Sequence, residues 1–226
     1  MNQAATRRVK VWDGWIRLFH WAIVLLVAAQ YATAQLGLMN WHFRFGYTVL
    51  ALLLFRLAWG LVGSDTARFT RFLKSPLAAL AHLRDLHRRE PDTEIGHNAA
   101  GGWMVLALLG LLLAQVASGL FANEEPGESY GAHGPYALQV SDALSQFLTS
   151  LHGWVFNLIL IAIGVHVVAV ATYAVLKRHD LVRPMISGFK RLPAKLLPPR
   201  LGHPLLALAL LAGSAAMAWW ISRQGS

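Results

Sequence analysis

The sequence predicts an all-α integral membrane protein, a four-helix transmembrane bundle with a fifth transmembrane helix at its C-terminal end. Hydrophobic residues make up 56% of the 226 residues, and charged residues make up only 14%. A bilayer core needs about 20 helical residues to cross it. Five apolar runs meet or approach that length, and they cover residues 15–34, 43–62, 99–122, 148–176 and 205–221.

The first and last runs need separate arguments. The first run is not a cleavable signal peptide, because it is long, contains His20 and shows no small-residue cleavage site. The last run is the shortest, but Trp219 and Trp220 at its end are typical of interfacial anchors. We therefore number the runs as spans one to five in chain order.

The basic residues lie on alternate loops. Although the net charge is +9, most Lys and Arg residues lie before span one, between spans two and three, or between spans four and five. The segment 123–147 has none and carries four acids, Glu124, Glu125, Glu128 and Asp142. By the positive-inside rule, the N-terminus is cytoplasmic and this acidic segment is outside. The basic loops are predicted to contact anionic lipid and not nucleic acid.

Two regions are expected. Residues 1–178 form the transmembrane domain, and residues 179–226 form a basic cytoplasmic strap followed by span five. Prolines favour an extended strap; they are Pro184, Pro193, Pro198, Pro199 and Pro204. In the loop between spans two and three, leucines at period three predict an amphipathic helix from Leu77 to His87 at the lipid headgroups.

Four histidines in or beside the spans are the residues that best indicate a function. His152 and His166 lie 14 residues apart, so they share one helix face with a rise of about 21 Å between them. His42 begins span two at the outer end, and His20 lies at the cytoplasmic end of span one. Depth therefore sorts the four into an outer pair, His42 and His152, and an inner pair, His20 and His166. A histidine at such a depth is usually functional, although each could merely hydrogen-bond a neighbouring helix.

Each pair offers what a bis-histidine haem requires, namely two imidazoles that face each other across one porphyrin. Zinc would require a third or fourth ligand at each level, and none is evident. The chain has no Cys, which excludes disulfides, thiolate-ligated clusters and covalent CxxCH attachment of haem. The sequence therefore predicts two bis-histidine haems that are not covalently attached.

Two arginines are candidates to hold haem propionates. Arg56 lies 14 residues after His42, which places it on the same helix face at the depth of the inner pair. A buried cation needs an anionic partner, and no carboxylate lies inside any span, so a propionate would serve. Arg17 lies one turn before His20 and could do the same. Snorkelling to the interface is the alternative for both arginines.

His97 opens span three at its cytoplasmic end and is the main rival ligand. An imidazole at that position could bind iron, contact a propionate or a quinone head, or only cap the helix. The residues alone leave these alternatives open.

Several short motifs spread from span one to span four are specific when taken together. They are Val11-Trp12-Asp13, Arg17-Leu18-Phe19-His20-Trp21, His42 with Gly46, Phe55-Arg56-Leu57, Gly96-His97-Asn98, and His152 with His166. In these residues the chain resembles the bacterial di-haem cytochrome b561 family, with the b-type membrane subunits of nickel-iron hydrogenases and formate dehydrogenases. The resemblance implies a four-helix core in the bacterial inner membrane that holds two b haems, with ligands from spans one, two and four in the pairs given above. Span five and the strap lie outside that shared core.

Two axial histidines leave iron no open position, so the expected function is outer-sphere electron transfer. A quinone, ubiquinone or menaquinone, is expected near the inner haem around His20, Arg17 and His97. The outer haem would exchange electrons with a periplasmic redox protein, such as a c-type cytochrome or a hydrogenase-like subunit. The acidic residues of the segment 123–147 favour a basic partner.

Two other functions stay open. Some members of the family are superoxide oxidases that pass electrons to ubiquinone, although an acidic outer surface would repel the superoxide anion. The second alternative is a non-redox transporter or structural protein, whose histidines relay protons or only pack. An optical spectrum separates this last alternative from both redox functions.

Overall fold

The computed structural model describes residues 5–88, 91–123 and 133–224. Within them, five helices are long and apolar enough to cross a membrane. The predicted all-α integral membrane fold is thus confirmed. The elements in chain order are β1 Thr6–Lys10, α1 Gly14–Gln35, α2 Met39–Val62, α3 Phe69–Phe72, α4 Pro76–Arg84, α5 Ala99–Gly119, α6 Asp142–Thr172, α7 Val182–Ser187, β2 Phe189–Pro193 and α8 Pro204–Gln224.

Two of the spanning helices, α1 and α6, start next to a polar side chain that caps them and therefore begin before their apolar runs. Asp13 accepts a hydrogen bond from the Ile16 amide at 2.8 Å and so caps α1. Helix α6 begins at Asp142, six residues before the predicted span, and Ser141 accepts from the Leu144 amide. Helix α2 begins at Met39, which places His42 inside the first turn instead of at its start.

Helices α1, α2, α5, α6 and α8 contribute to two compact units. One unit, here the histidine-97 unit, comprises Met1–His20, Arg56–Leu106 and Ile163–Leu208. Its core is centred on Trp59, which is fully buried and donates from Nε1 to Oδ2 of Asp13 at 3.2 Å.

A small antiparallel sheet in the histidine-97 unit was not predicted. Strand β1 pairs with β2 in a register that runs from Thr6 opposite Pro193 to Lys10 opposite Phe189. The strap is extended in β2 but helical in α7, so the expectation of an extended strap is met only in part. Pro184 is tolerated in α7 because it lies in the first turn, where its missing N–H costs no helical hydrogen bond. The pairing ties the strap to the N-terminal segment, and the expected boundary at residue 178 stays a prediction.

The second unit, here the cavity unit, comprises Trp21–Phe55, Ala107–Ala162 and Ala209–Ser226. Its part of α8 packs against α2, where Ala218 joins Leu50 and Ala51 in one buried cluster. Tyr136 fixes the end of α8 by donating from its hydroxyl to the Ile221 carbonyl at 2.9 Å. The fifth span is thus part of this unit's core.

Large apolar side chains remain exposed along the spanning helices. Leu25, Val168 and Trp219 each expose between 65% and 70% of their surface. Soluble proteins seldom present contiguous apolar surface of this kind, whereas a lipid-facing helix requires it. The protein is a multi-pass membrane protein.

Candidate functional site

The outer pair comes together in the cavity unit, with His42 on α2 and His152 on α6. Their ring centroids are 6.4 Å apart, and the ring planes are inclined by 70°. Metal–imidazole bonds are about 2.0 Å long, so two imidazoles that bind one metal ion from opposite sides have centroids roughly 6 Å apart. The outer pair is therefore spaced for one axially coordinated iron.

A cavity of about 400 Å³ is lined by both outer histidines. Small-molecule and cofactor pockets typically measure about 300–1,000 Å³, so it is large enough to be one. Gly119 on α5 makes room for the imidazole, because a Cβ atom there would lie 2.8 Å from Cε1 of His152. The space around the pair therefore depends on a residue without a side chain.

Backbone carbonyls fix the tautomer of both outer histidines. Nδ1 of His42 lies 3.2 Å from the carbonyl oxygen of Gln30. Nδ1 of His152 lies 2.9 Å from that of Gln115. Because a carbonyl can only accept, these contacts favour the tautomer that carries its proton on Nδ1 and presents the Nε2 lone pair as an acceptor, which is the arrangement of metal-binding histidines.

The side chain of Gln115 also reaches the nitrogen that would bind iron. Its Nε2 lies 2.9 Å from Nε2 of His152, and its Oε1 is buried without a hydrogen-bond partner in the described structure. The amide thus donates to the lone pair that a metal would take, and binding of iron by His152 would require this amide to move aside. The hydrogen bond agrees with the tautomer set by the backbone.

The inner pair lies in the histidine-97 unit, with His20 on α1 and His166 on α6. Its ring centroids are also 6.4 Å apart, with ring planes inclined by 56°. The histidines that the sequence places at the same depth are thus neighbours in space in both pairs. Both pairs have the spacing that axial coordination of one iron requires.

His97 lies against two aromatic rings of the same unit. Its ring centroid is 4.6 Å from that of Trp12 and 4.8 Å from that of Phe72. Burial and, next, the positive charge of Arg56 lower the pKa of His97 to about 3, so its imidazole is neutral. Its buried Nδ1 has no hydrogen-bond partner among the described residues. It can therefore exchange a hydrogen bond with a bound molecule, whereas its role as a ligand stays a prediction.

Residues 11–188 match the sequence model of a family described as prokaryotic cytochrome b561. The chain belongs to the prokaryotic cytochrome b561 family. No curated protein and no solved structure matches it. Membership implies b-type haem and a role in transmembrane electron transfer. The match includes all four paired histidines and ends before α8.

The donor set in this cytochrome b561 suits haem better than a bare metal ion. In residues 5–88, 91–123 and 133–224, no group of three or more His, Cys, Asp or Glu side chains could hold a metal ion. A porphyrin supplies four ligands itself and needs only two from the protein. The residues present therefore fit haem b at each pair.

Arg56 is buried in the histidine-97 unit, with only 3% of its surface exposed. Its Nη1 donates to the Ala67 carbonyl at 3.3 Å, and its guanidinium lies 4.9 Å from the centre of the Phe69 ring. The carboxylate whose charge acts on Arg56 belongs to Asp13. Asp13 precedes span one, so it is not among the residues of any apolar run. The absence of a carboxylate within the spans therefore does not by itself imply a propionate.

Arg17 is held by the strap. Its Nη1 donates to the Ile186 carbonyl at 2.5 Å, whereas its buried Nε has no hydrogen-bond partner in the described structure. This position argues against free snorkelling and leaves one donor available. That Arg17 and Arg56 hold propionates stays a prediction.

Replacing Arg56 with Leu is expected to lower the reduction potential of the haem at the inner pair. A nearby positive charge disfavours the oxidised iron, so its removal stabilises that state by roughly 1–2 kcal/mol. Redox titration of both transitions measures the shift, and Arg84→Leu, an exposed position on α4, is the control. Equal shifts at both haems, or no shift, would show that Arg56 does not act on the inner haem.

The predicted acidic surface falls largely outside the described residues, because Glu124, Glu125 and Glu128 all lie there. Asp142 is exposed in the first turn of α6. The sequence assigned no role to Gln30, Thr33, Gln115 and Ser118, whose atoms surround the outer histidines.

Proposed function

We propose that this cytochrome b561 transfers electrons between the membrane quinone pool and a periplasmic redox partner, using two b haems. The single observation that carries the proposal is the common centroid separation of 6.4 Å in both histidine pairs. A haem b with two axial histidines supplies one-electron transfer and offers no open position for a substrate. Family membership favours this function over a non-redox transporter or a structural role.

The protein's own residues perform distinct tasks in this proposal. His42 and His152 would bind iron through Nε2 while their Nδ1–H groups stay on the Gln30 and Gln115 carbonyls. His20 and His166 would hold the second haem. Arg17 and Arg56 would neutralise haem propionates, a charge-assisted contact that would also fix the orientation of the macrocycle.

The quinone, ubiquinone or menaquinone, is proposed to bind near His20, Arg17 and His97. The neutral imidazole of His97 has one unpaired buried nitrogen, which can exchange a hydrogen bond with a quinone head. Arg17, which belongs to the same unit, offers an additional buried N–H donor at Nε. Both groups recognise carbonyl oxygens and not the hydrocarbon tail.

The proposed orientation places the N-terminus in the cytoplasm, in the bacterial inner membrane. Its support is the distribution of Lys and Arg on alternate loops, because basic loops are retained on the cytoplasmic side. The acidic segment then faces the periplasm. A basic carrier such as a c-type cytochrome fits that surface, and a hydrogenase-like subunit is the other partner considered.

Reoxidation of the reduced protein by a basic c-type cytochrome is expected to slow as ionic strength rises. Exposed charges of opposite sign accelerate encounter, and salt screens them. Changing Glu124, Glu125 and Glu128 to Gln should slow the reaction at low salt and flatten its salt dependence. Stopped-flow absorbance measures the rate.

Asp85→Asn is the matched control, since Asp85 lies on the loop predicted to be cytoplasmic. Reaction with superoxide would change in the opposite direction, because removal of negative charge speeds the approach of an anion. A rate that is indifferent to both salt and substitution would rule out docking at the acidic surface.

A further inference from the structure

A five-residue pattern occurs twice in the cavity unit, once in α1 and once in α5. Residues 29–33 are Ala-Gln-Tyr-Ala-Thr, and residues 114–118 are Ala-Gln-Val-Ala-Ser. Both follow the pattern Ala-Gln-x-Ala followed by a hydroxyl residue. We call these segments the first cradle and the second cradle, because each surrounds one outer histidine.

The second cradle holds His152. The Gln115 carbonyl lies 2.9 Å from Nδ1 of His152, and the Ser118 hydroxyl lies 3.2 Å from the same nitrogen. The Ser118 hydroxyl also lies within donating distance of two carbonyls of its own helix, that of Ala114 at 2.8 Å and that of Gln115 at 3.0 Å. Because its proton points to these carbonyls, the hydroxyl oxygen presents lone pairs to the Nδ1–H group.

The first cradle holds His42 through the same atoms. The Gln30 carbonyl lies 3.2 Å from Nδ1 of His42, and the Thr33 hydroxyl lies 3.5 Å from it. The Thr33 hydroxyl lies within donating distance of the Ala29 carbonyl at 2.8 Å and the Gln30 carbonyl at 3.1 Å. The Gln carbonyl and the hydroxyl therefore make equivalent contacts in the two segments, although the distances to His42 are longer than those to His152.

Hydroxyl bonds to a carbonyl one turn earlier are common in membrane helices and alone imply no function. Thr48 makes one to the Arg44 carbonyl at 2.9 Å, yet Thr48 is exposed. The cradles differ from Thr48 because in each of them one imidazole Nδ1 contacts both the hydroxyl and the Gln carbonyl three residues before it. Two acceptors on one N–H make an imidazole more basic, and a more basic ligand favours the oxidised metal.

We propose that residues 29–33 and 114–118 are twin cradles that position both outer histidines through Nδ1 and lower the reduction potential of the haem held by the outer pair. This inference rests on the proposed function. In the histidine-97 unit, the buried positive charge of Arg56 acts in the opposite direction. The outer haem is then the lower-potential centre of the two, and electron transfer from the outer haem to the inner haem is favoured.

The test removes each hydroxyl and follows both haems in the full-length purified protein. Thr33→Val and Ser118→Ala are made singly and together, and Thr48→Val is the matched control with the same helical hydrogen bond. Haem content is measured first, followed by redox titration and by electron paramagnetic resonance of the oxidised protein. The variant His152→Ala, which lacks an outer ligand, identifies which transition belongs to the outer haem.

We expect both haems to stay bound and the outer potential to rise in each single variant, with a further rise in the double variant. The potential of the inner haem should not change in these variants, and the Thr48→Val control should keep both original potentials. In the electron paramagnetic resonance spectrum, only the low-spin ferric signal of the outer haem should shift. Thr33→Ser and Ser118→Thr keep the hydroxyl and should retain the original potential.

An unchanged outer potential, or equal shifts at both haems, would overturn the proposal. If the hydroxyl-free variants lose the outer haem, the hydroxyl-retaining variants decide: retention of haem in them supports the cradles, and its loss overturns them. Two haems with unaltered potentials would refute the cradles alone. A parent protein without haem would instead refute the proposed function.

Discussion

Replacing His42 or His152 with alanine is expected to abolish the haem of the outer pair and to leave the haem of the inner pair. In the proposed arrangement each imidazole would supply one of the two protein ligands to the same iron, since the ring centroids are 6.4 Å apart. Haem content should fall from two per chain to one, and redox titration should show a single transition. His20→Ala or His166→Ala should give the reciprocal loss.

His87→Ala is the control for these variants, because His87 is exposed and lies outside both pairs. His97→Ala should also retain two haems, since the ring of His97 lies against Trp12 and Phe72. Loss of a haem in His97→Ala, together with retention of both haems in His20→Ala, would show that the inner pair is wrongly assigned.

Replacing Gly119 with Leu is expected to remove the outer haem even though no ligand is changed. A Cβ atom at this position would lie 2.8 Å from Cε1 and 3.1 Å from Nδ1 of His152. Such contacts force the imidazole away from its coordinating position, and the larger leucine side chain enters the space that the glycine leaves. Haem content should fall to one per chain, and the transition that remains should be the inner one.

Gly110→Leu is the matched control on the same helix, because a Cβ atom at Gly110 meets nothing within 4 Å. It should bind two haems with potentials like those of the parent protein. Retention of both haems in Gly119→Leu would show that His152 can bind iron from another position. The surviving inner transition reports that the variant has folded.

The properties that the sequence predicts best depend on position along one axis. Apolar runs of bilayer length identify α1, α2, α5, α6 and α8, and depth within those runs pairs the four histidines. The rotation of each helix about its own axis depends instead on its packing against the neighbouring helices, and the sequence does not give it. The contacts of the Gln30 and Gln115 carbonyls with the outer histidines depend on this rotation, so only the three-dimensional structure shows them.

Segments outside the spans were the least predictable. Asp13 lies before the first apolar run, yet it is buried, caps α1 and accepts from the indole of Trp59. The pairing of β1 with β2 joins segments about 180 residues apart in the chain, and no local sequence pattern predicts so distant a contact. The sequence alone does not identify the cradles, because their five residues are of common types and only their contacts with the two imidazoles distinguish them.

The pyridine haemochrome assay on the purified protein tests the central claim, since it counts haem b directly and needs no partner or substrate. Two histidine pairs with equal centroid separations predict two haem b per chain. A ratio near two is the expected result. A ratio near one, or the absence of haem, would contradict the two-centre arrangement.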